Sequence, residues 1–178
     1  MSVQAGQRPQ KRDPLQQASD RYATLLANYM QSEIHDLNHP TGKSRNDNDP
    51  SVNGVSRNKM VKELMAARGN LVSLNLASGN PKSISEIDEA ATLSAIKMVK
   101  KNGYTFSSHT EFPPVPLNDG FKKQANGHRT FQHRNQDYED RVLANSLLNR
   151  ALNHHKRMQK DRSQDFQNTR QREPSYSR

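Results

Sequence analysis

The stretch HDLNH (His35 to His39) sets two imidazoles four residues apart, a spacing that can hold a metal ion on one face of a helix. A metal centre also needs a third ligand and supporting hydrogen bonds. Asp36 falls on a different face, and Pro40 breaks the helical geometry. The pair therefore reads as a polar helix end, with no metal expected. His154 and His155 are adjacent and diverge around a helix, which makes them a poor chelate. Glu86, Asp88 and Glu89 could supply paired carboxylates for acid–base chemistry. Their place in the first turn of a helix, where the dipole draws acids, accounts for them without chemistry. The chain has no G-x-S-x-G, no phosphate-cradling glycine loop and no H-E-x-x-H. It also has no cysteine, which excludes thiolate nucleophiles, thiolate zinc sites and disulfides. No catalytic residue and no cofactor is expected.

Two stretches could instead hold phosphate. Between Arg141 and Arg172 stand eight Lys or Arg and two acids, so this segment carries +6 of the chain's +9. Each cation that pairs with a phosphate releases a condensed counterion, which favours binding to a nucleic-acid backbone. Arg150, Lys156, Arg157 and Lys160 fall opposite the apolar stripe of the helix that carries them. A solvated helix face would have the same composition. The second stretch, GFKKQANGHRTFQHR (Gly120 to Arg134), interleaves Phe121 and Phe131 with Lys122, Lys123, Arg129 and Arg134. Aromatic rings can stack on exposed bases while cations hold the backbone, although the pattern matches no known reader motif. Burial of both rings is the competing account. FPPVP (Phe112 to Pro116) has a P-x-x-P spacing but no basic residue nearby, so it reads as a rigid extended spacer.

The elements that position these residues follow from composition and spacing. The hydrophobic fraction is 31%, and Leu, Ile, Val and Phe number 31 of 178 residues. Asn and Gln number 30. Such a chain supports a small core with long polar segments that cannot offset their ordering entropy. Asp13 and Pro14 suit a helix start, and Leu15, Ala18, Tyr22, Leu25, Leu26 and Tyr29 then recur at helical spacing until Pro40. Residues 38–55 read as a mobile loop. A short helix is predicted over 57–68, stopped by Gly69. Val72, Leu74 and Leu76 then alternate as in a strand, with an extended segment or a helical continuation as alternatives. Ser83 and Glu86 form a capping box for a helix over 85–102, closed by Gly103 and expected at the centre of the core. Leu93 and Ile96 fall off its main stripe, so it should meet more than one neighbour.

The expected fold is therefore mostly α, a small irregular bundle of about four helices with long loops and disordered termini. Residues 1–12 form a basic disordered tail, 13–103 the helical core, and 104–137 an aromatic-bearing extended segment. A basic amphipathic helix spans 138–162 and packs as far as Met158, and 163–178 form a disordered tail. The start MSVQAGQRPQKRD has no apolar region of a secretory signal, and no run is long enough to cross a bilayer. A cytoplasmic place, or one inside a virion or other intracellular particle, is expected.

Two functions fit. One is a non-enzymatic accessory protein that grips nucleic acid through the basic C-terminal helix. The other is an adaptor or scaffold subunit of a larger viral or secretion-type complex. In that reading Phe106, Phe112, Phe121 and Phe131 anchor the interface, and positive charge steers the chain to an acidic partner. Protonating all seven histidines would raise the charge from +9 to +16, so either interaction should strengthen in acid.

Overall fold

The computed structural model describes residues 11–39, 50–51, 54–107, 110–115 and 128–172, the side chains of 128–135 and 171–172 apart. Its elements are α1 (Pro14–Asn38), α2 (Arg57–Leu76), α3 (Ile84–Lys101) and α4 (His128–Arg172), with no strand among the described residues. α1 packs on both α2 and α3, and α4 lies against the same two helices, so the bundle runs α1, α2, α4, α3 around one core. It is a small helical bundle, as the patterning predicts.

α1 begins as its sequence suggests. Pro14 occupies the first turn, where its missing N–H costs nothing, although the Asp13 side chain makes no cap bond. From Tyr22 to Ile34 it is enclosed on nearly every side: Tyr22, Leu26, Tyr29, Met30, Ser32 and Ile34 are all fully buried. The centre of the core is thus α1, not α3. The cause is chemical. α1 brings two tyrosines and a run of small and apolar residues, whereas α3 keeps a lysine-rich outer face and leaves Ile84 half exposed.

α2 takes the helical continuation that the sequence leaves open beside the strand. It does not stop at Gly69, and residues 72–76 are not a strand. Met60, Val61, Leu64, Ala67, Leu71 and Asn75 are buried at helical spacing on both sides of the glycine. That inward line outweighs the alternation of Val72, Leu74 and Leu76, and Leu76 ends up exposed. Gly69 is exposed in ordinary helical conformation, and a Cβ there would meet nothing. Gly69→Ala is therefore expected to stabilise the fold by about 0.5–1 kcal/mol, read as a higher midpoint in denaturant. A lower midpoint would contradict the uninterrupted helix.

The chain is clamped between α2 and α3 by Asn75. Its amide donates to the Lys82 carbonyl at 2.7 Å and its carbonyl accepts from the Lys82 N–H at 2.9 Å. α3 then opens with the complete capping box: Glu86 N–H donates to Ser83 Oγ, and Ser83 N–H donates to Glu86 Oε2. These bonds hold the Glu86 carboxyl below its ordinary range. Gly103 closes the helix at φ 84°, a left-handed conformation that glycine adopts without strain. α3 touches α1 and α4, the two neighbours that Ile96 and Leu93 off its main stripe imply.

The expected mobile loop 38–55 lies partly outside the described residues. Its end is a tight turn: Ser51 N–H donates to the Val55 carbonyl, and Gly54 N–H to that of Ser51. The segment after α3 has no regular structure at 104–107 and 110–115, and the last part of the expected extended stretch, 128–137, is helical instead. The irregular segment folds onto the bundle rather than away from it.

α4 differs most from expectation. It begins at His128, ten residues earlier than the predicted Tyr138, and runs to Arg172. The predicted tail 163–178 is thus helical as far as 172. Ala144, Leu147, Leu148, Ala151 and Leu152 are its buried face. Packing ends at His155, which meets Phe106, about one turn before the predicted Met158, which is 44% exposed.

Candidate nucleic-acid interface

The helices are tied together by two buried ionic clusters. In the first, Asp88 on α3 accepts from three donors. Tyr22 Oη donates at 2.7 Å, and the Arg68 guanidinium forms a fork, with Nε and Nη2 each at 2.9 Å. Three helices meet at this carboxylate. Burial, then the bond to Asp88, raises the Tyr22 phenol well above its ordinary range, and the Asp88 fork raises Arg68. In the second cluster, Arg57 at the start of α2 reaches Glu33 Oε1 at 2.7 Å and Asp36 Oδ2 at 3.5 Å on α1. Asp88 is therefore not simply a dipole-matching acid of the first turn. It sits one position from Ile87 on the helix's inner line, a signal that acidic composition alone conceals.

The aromatic segment is split. Phe106 and Phe112 are buried in the core, edge to face with centroids 6.3 Å apart. Phe106 also meets the His155 ring of α4 at 5.4 Å. These two rings are thus part of the chain's own fold and, buried there, are not exposed as partner anchors. Phe121, Lys122 and Lys123 lie outside the described residues. Arg129, Phe131 and Arg134 fall on the first turns of α4, with their side chains outside the description.

His35 and His39 stack at 4.3 Å, and His39 Nδ1 meets the His35 carbonyl. Among the described residues no group of three potential ligands gathers. Burial lowers the His155 pKa, Lys100 on α3 adds to this, and Arg162 and His154 add less, while the Phe106 backbone opposes it. His155 therefore charges later than its free form as pH falls, and it withholds its share of the acid-induced gain in positive charge. A lowered folded pKa means that its stability contribution is complete above about pH 6.5 and is lost as pH falls below that. Relative to His155→Phe, the natural chain should lose midpoint between neutral pH and pH 5. Parallel pH profiles of the two would contradict this.

The basic run is also divided. Arg150 turns inward to α3, where Nη1 contacts Glu89 Oε2 at 3.4 Å and the Ser85 carbonyl at 3.5 Å. It flanks the packed face rather than opposing it, so it braces the bundle and leaves the basic surface. Lys156, Arg157 and Lys160 lie beyond the packing. Every residue from 156 to 170 is exposed, a helical arm about 22 Å long at 1.5 Å per residue. Its cations, Lys156, Arg157, Lys160, Arg162 and Arg170, make no ion pair among the described residues.

The arm's charges are sorted by face. At about 100° per residue, Arg162, Arg170, Lys156 and Lys160 share an arc of about 160°. The two acids, Asp161 and Asp165, fall outside that arc; Arg157 stands one turn from Asp161, and Arg162, at the edge of the arc, stands one turn from Asp165. Phe166, 76% exposed, sits inside the cationic arc between Arg162 and Arg170. The sequence reading sets Arg162 at the end of the predicted helix and leaves Phe166 and Arg170 in the tail, so none of the three is singled out as a site residue. Their signal is the four-residue spacing R-x-x-x-F-x-x-x-R, which means something only if the helix continues past 162.

No protein-family model matches the chain, and neither a curated protein nor a solved structure does. No described helix is long and apolar enough to cross a membrane.

Proposed function

We propose that this chain is a non-enzymatic accessory protein that binds nucleic acid, or a nucleoprotein assembly, through the cationic arm of α4. The observation that carries the reading is the arm itself: a solvent-surrounded helix whose cations make no ion pair among the described residues and of which four, Lys156, Lys160, Arg162 and Arg170, share one arc that holds neither acid. An ordinary solvated face intersperses both signs, whereas a phosphate backbone selects cations on one side. The bundle serves as the anchor that nucleates the arm, since an isolated helix of that length is marginal in water. The two buried ionic clusters have their carboxylates engaged by arginine, so they brace helices and supply no base or nucleophile. Such a protein belongs wherever nucleic acid is packaged or handled, in the cytoplasm or inside an assembled particle.

Changing Lys156, Lys160, Arg162 and Arg170 together to alanine in the full chain tests the reading. Binding to labelled nucleic acid at low salt should fall steeply, with the helical content of the bundle retained. Unchanged affinity would reject it. Removing everything after Asp137 is not a valid substitute, because that cut also deletes Leu147, Leu148 and Leu152 from the core.

A further inference from the structure

We propose that the arm prefers single-stranded nucleic acid, with Phe166 stacking on an unpaired base while Arg162 and Arg170 hold phosphates on either side. The inference rests on the nucleic-acid reading and adds the strand state and the residue that sets it. Phe166 is the most exposed large apolar side chain among the described residues, at 76%. It stands one helical turn from an arginine in each direction, about 6 Å along the axis each way. In a duplex the faces of the bases are already stacked on one another, and a phenyl ring can reach only edges and backbone. In a single strand the base faces are open, and ring stacking there is tolerant of sequence. Cations flanking an aromatic ring are the pairing that single-strand grooves use.

Other occupants fit the arm less well. Met158 and Phe166 are its only large apolar residues, eight positions apart and about 80° out of line, so they form no seam for a protein groove. An interfacial membrane helix needs a continuous apolar face, which two residues do not make.

The chain contains no tryptophan, so Phe166→Trp places the sole tryptophan, excited selectively over the five tyrosines, at the proposed stacking position. The full-length variant would be titrated with one mixed-sequence oligonucleotide, single-stranded or annealed to its complement, and with vesicles containing anionic lipid. Quenching by the single strand and not by the duplex is the expected result. In parallel, Phe166→Ala should weaken single-strand binding about tenfold at unchanged salt slope, since stacking involves no counterion release. Binding by anisotropy without quenching, and without loss in Phe166→Ala, overturns the stacking proposal and leaves the phosphate grip standing. A blue shift on vesicles with no response to the strand overturns it in favour of a lipid surface. Absence of binding to either oligonucleotide by the natural chain overturns both readings.

Discussion

Asp88→Ala is expected to destabilise the fold by about 3 kcal/mol, the lower end of what removing one member of a buried ion pair costs. For a domain of this size that corresponds to a fall in Tm of about 6–12 °C. The Asp88 side chain is 7% exposed and that of Arg68 20%, so the guanidinium left behind is largely cut off from water. The Tyr22 hydroxyl, fully buried, loses its acceptor at the same time. The loss is thus mostly the penalty for two stranded groups rather than the net worth of the pair. That distinction has its own consequence. The triple replacement Tyr22→Phe, Arg68→Met and Asp88→Leu strands nothing, and it should lose less stability than Asp88→Ala alone. A triple variant at least as unstable as the single one would show that the cluster stabilises by its charges.

The second large effect is on binding. Four cations released from contact with a single strand account for about 2.8 units of the slope of log affinity against log salt. Between about 50 and 200 mM salt that slope alone is a loss of roughly fifty-fold, which the four-alanine variant should no longer show. Arg150 is absent from this set, since it is engaged with Glu89. Arg157 is expected to contribute least of the exposed cations, because it stands on the acidic side of the arm beside Asp161.

How much of this was legible in the sequence differs by element. α1 and α3 announce themselves because local signals agree with packing: Pro14 and Ser83–Glu86 mark the starts, Gly103 the end, and apolar spacing the inner faces. The second half of α2 is ambiguous in the sequence because Gly69 imitates a stop and Val72, Leu74 and Leu76 alternate as a strand would, with helical continuation only one alternative. Only tertiary contact at Leu71 and Asn75 decides between them. Residues 163–172 carry no apolar period at all, so nothing local distinguishes a helix continued from a packed segment from a loose tail. Phe106 and Phe112 have the same composition around them whether they fill their own core or a partner's. Asp88 is instructive for the opposite reason. A correct explanation for acids in a first turn was available, and it hid the one acid that faces inward toward Arg68 and Tyr22.

The most direct test is a salt titration by fluorescence anisotropy with a labelled single strand, comparing the natural chain, the four-alanine variant and Asp161→Asn/Asp165→Asn. If the cationic face is the grip, the four-alanine variant loses most of its affinity and its salt slope flattens by about 2.8 units, while the asparagine pair keeps the natural slope. A slope that is equal in the natural chain and the four-alanine variant would contradict the account, and the arm would then be a solvated helix that holds no phosphate.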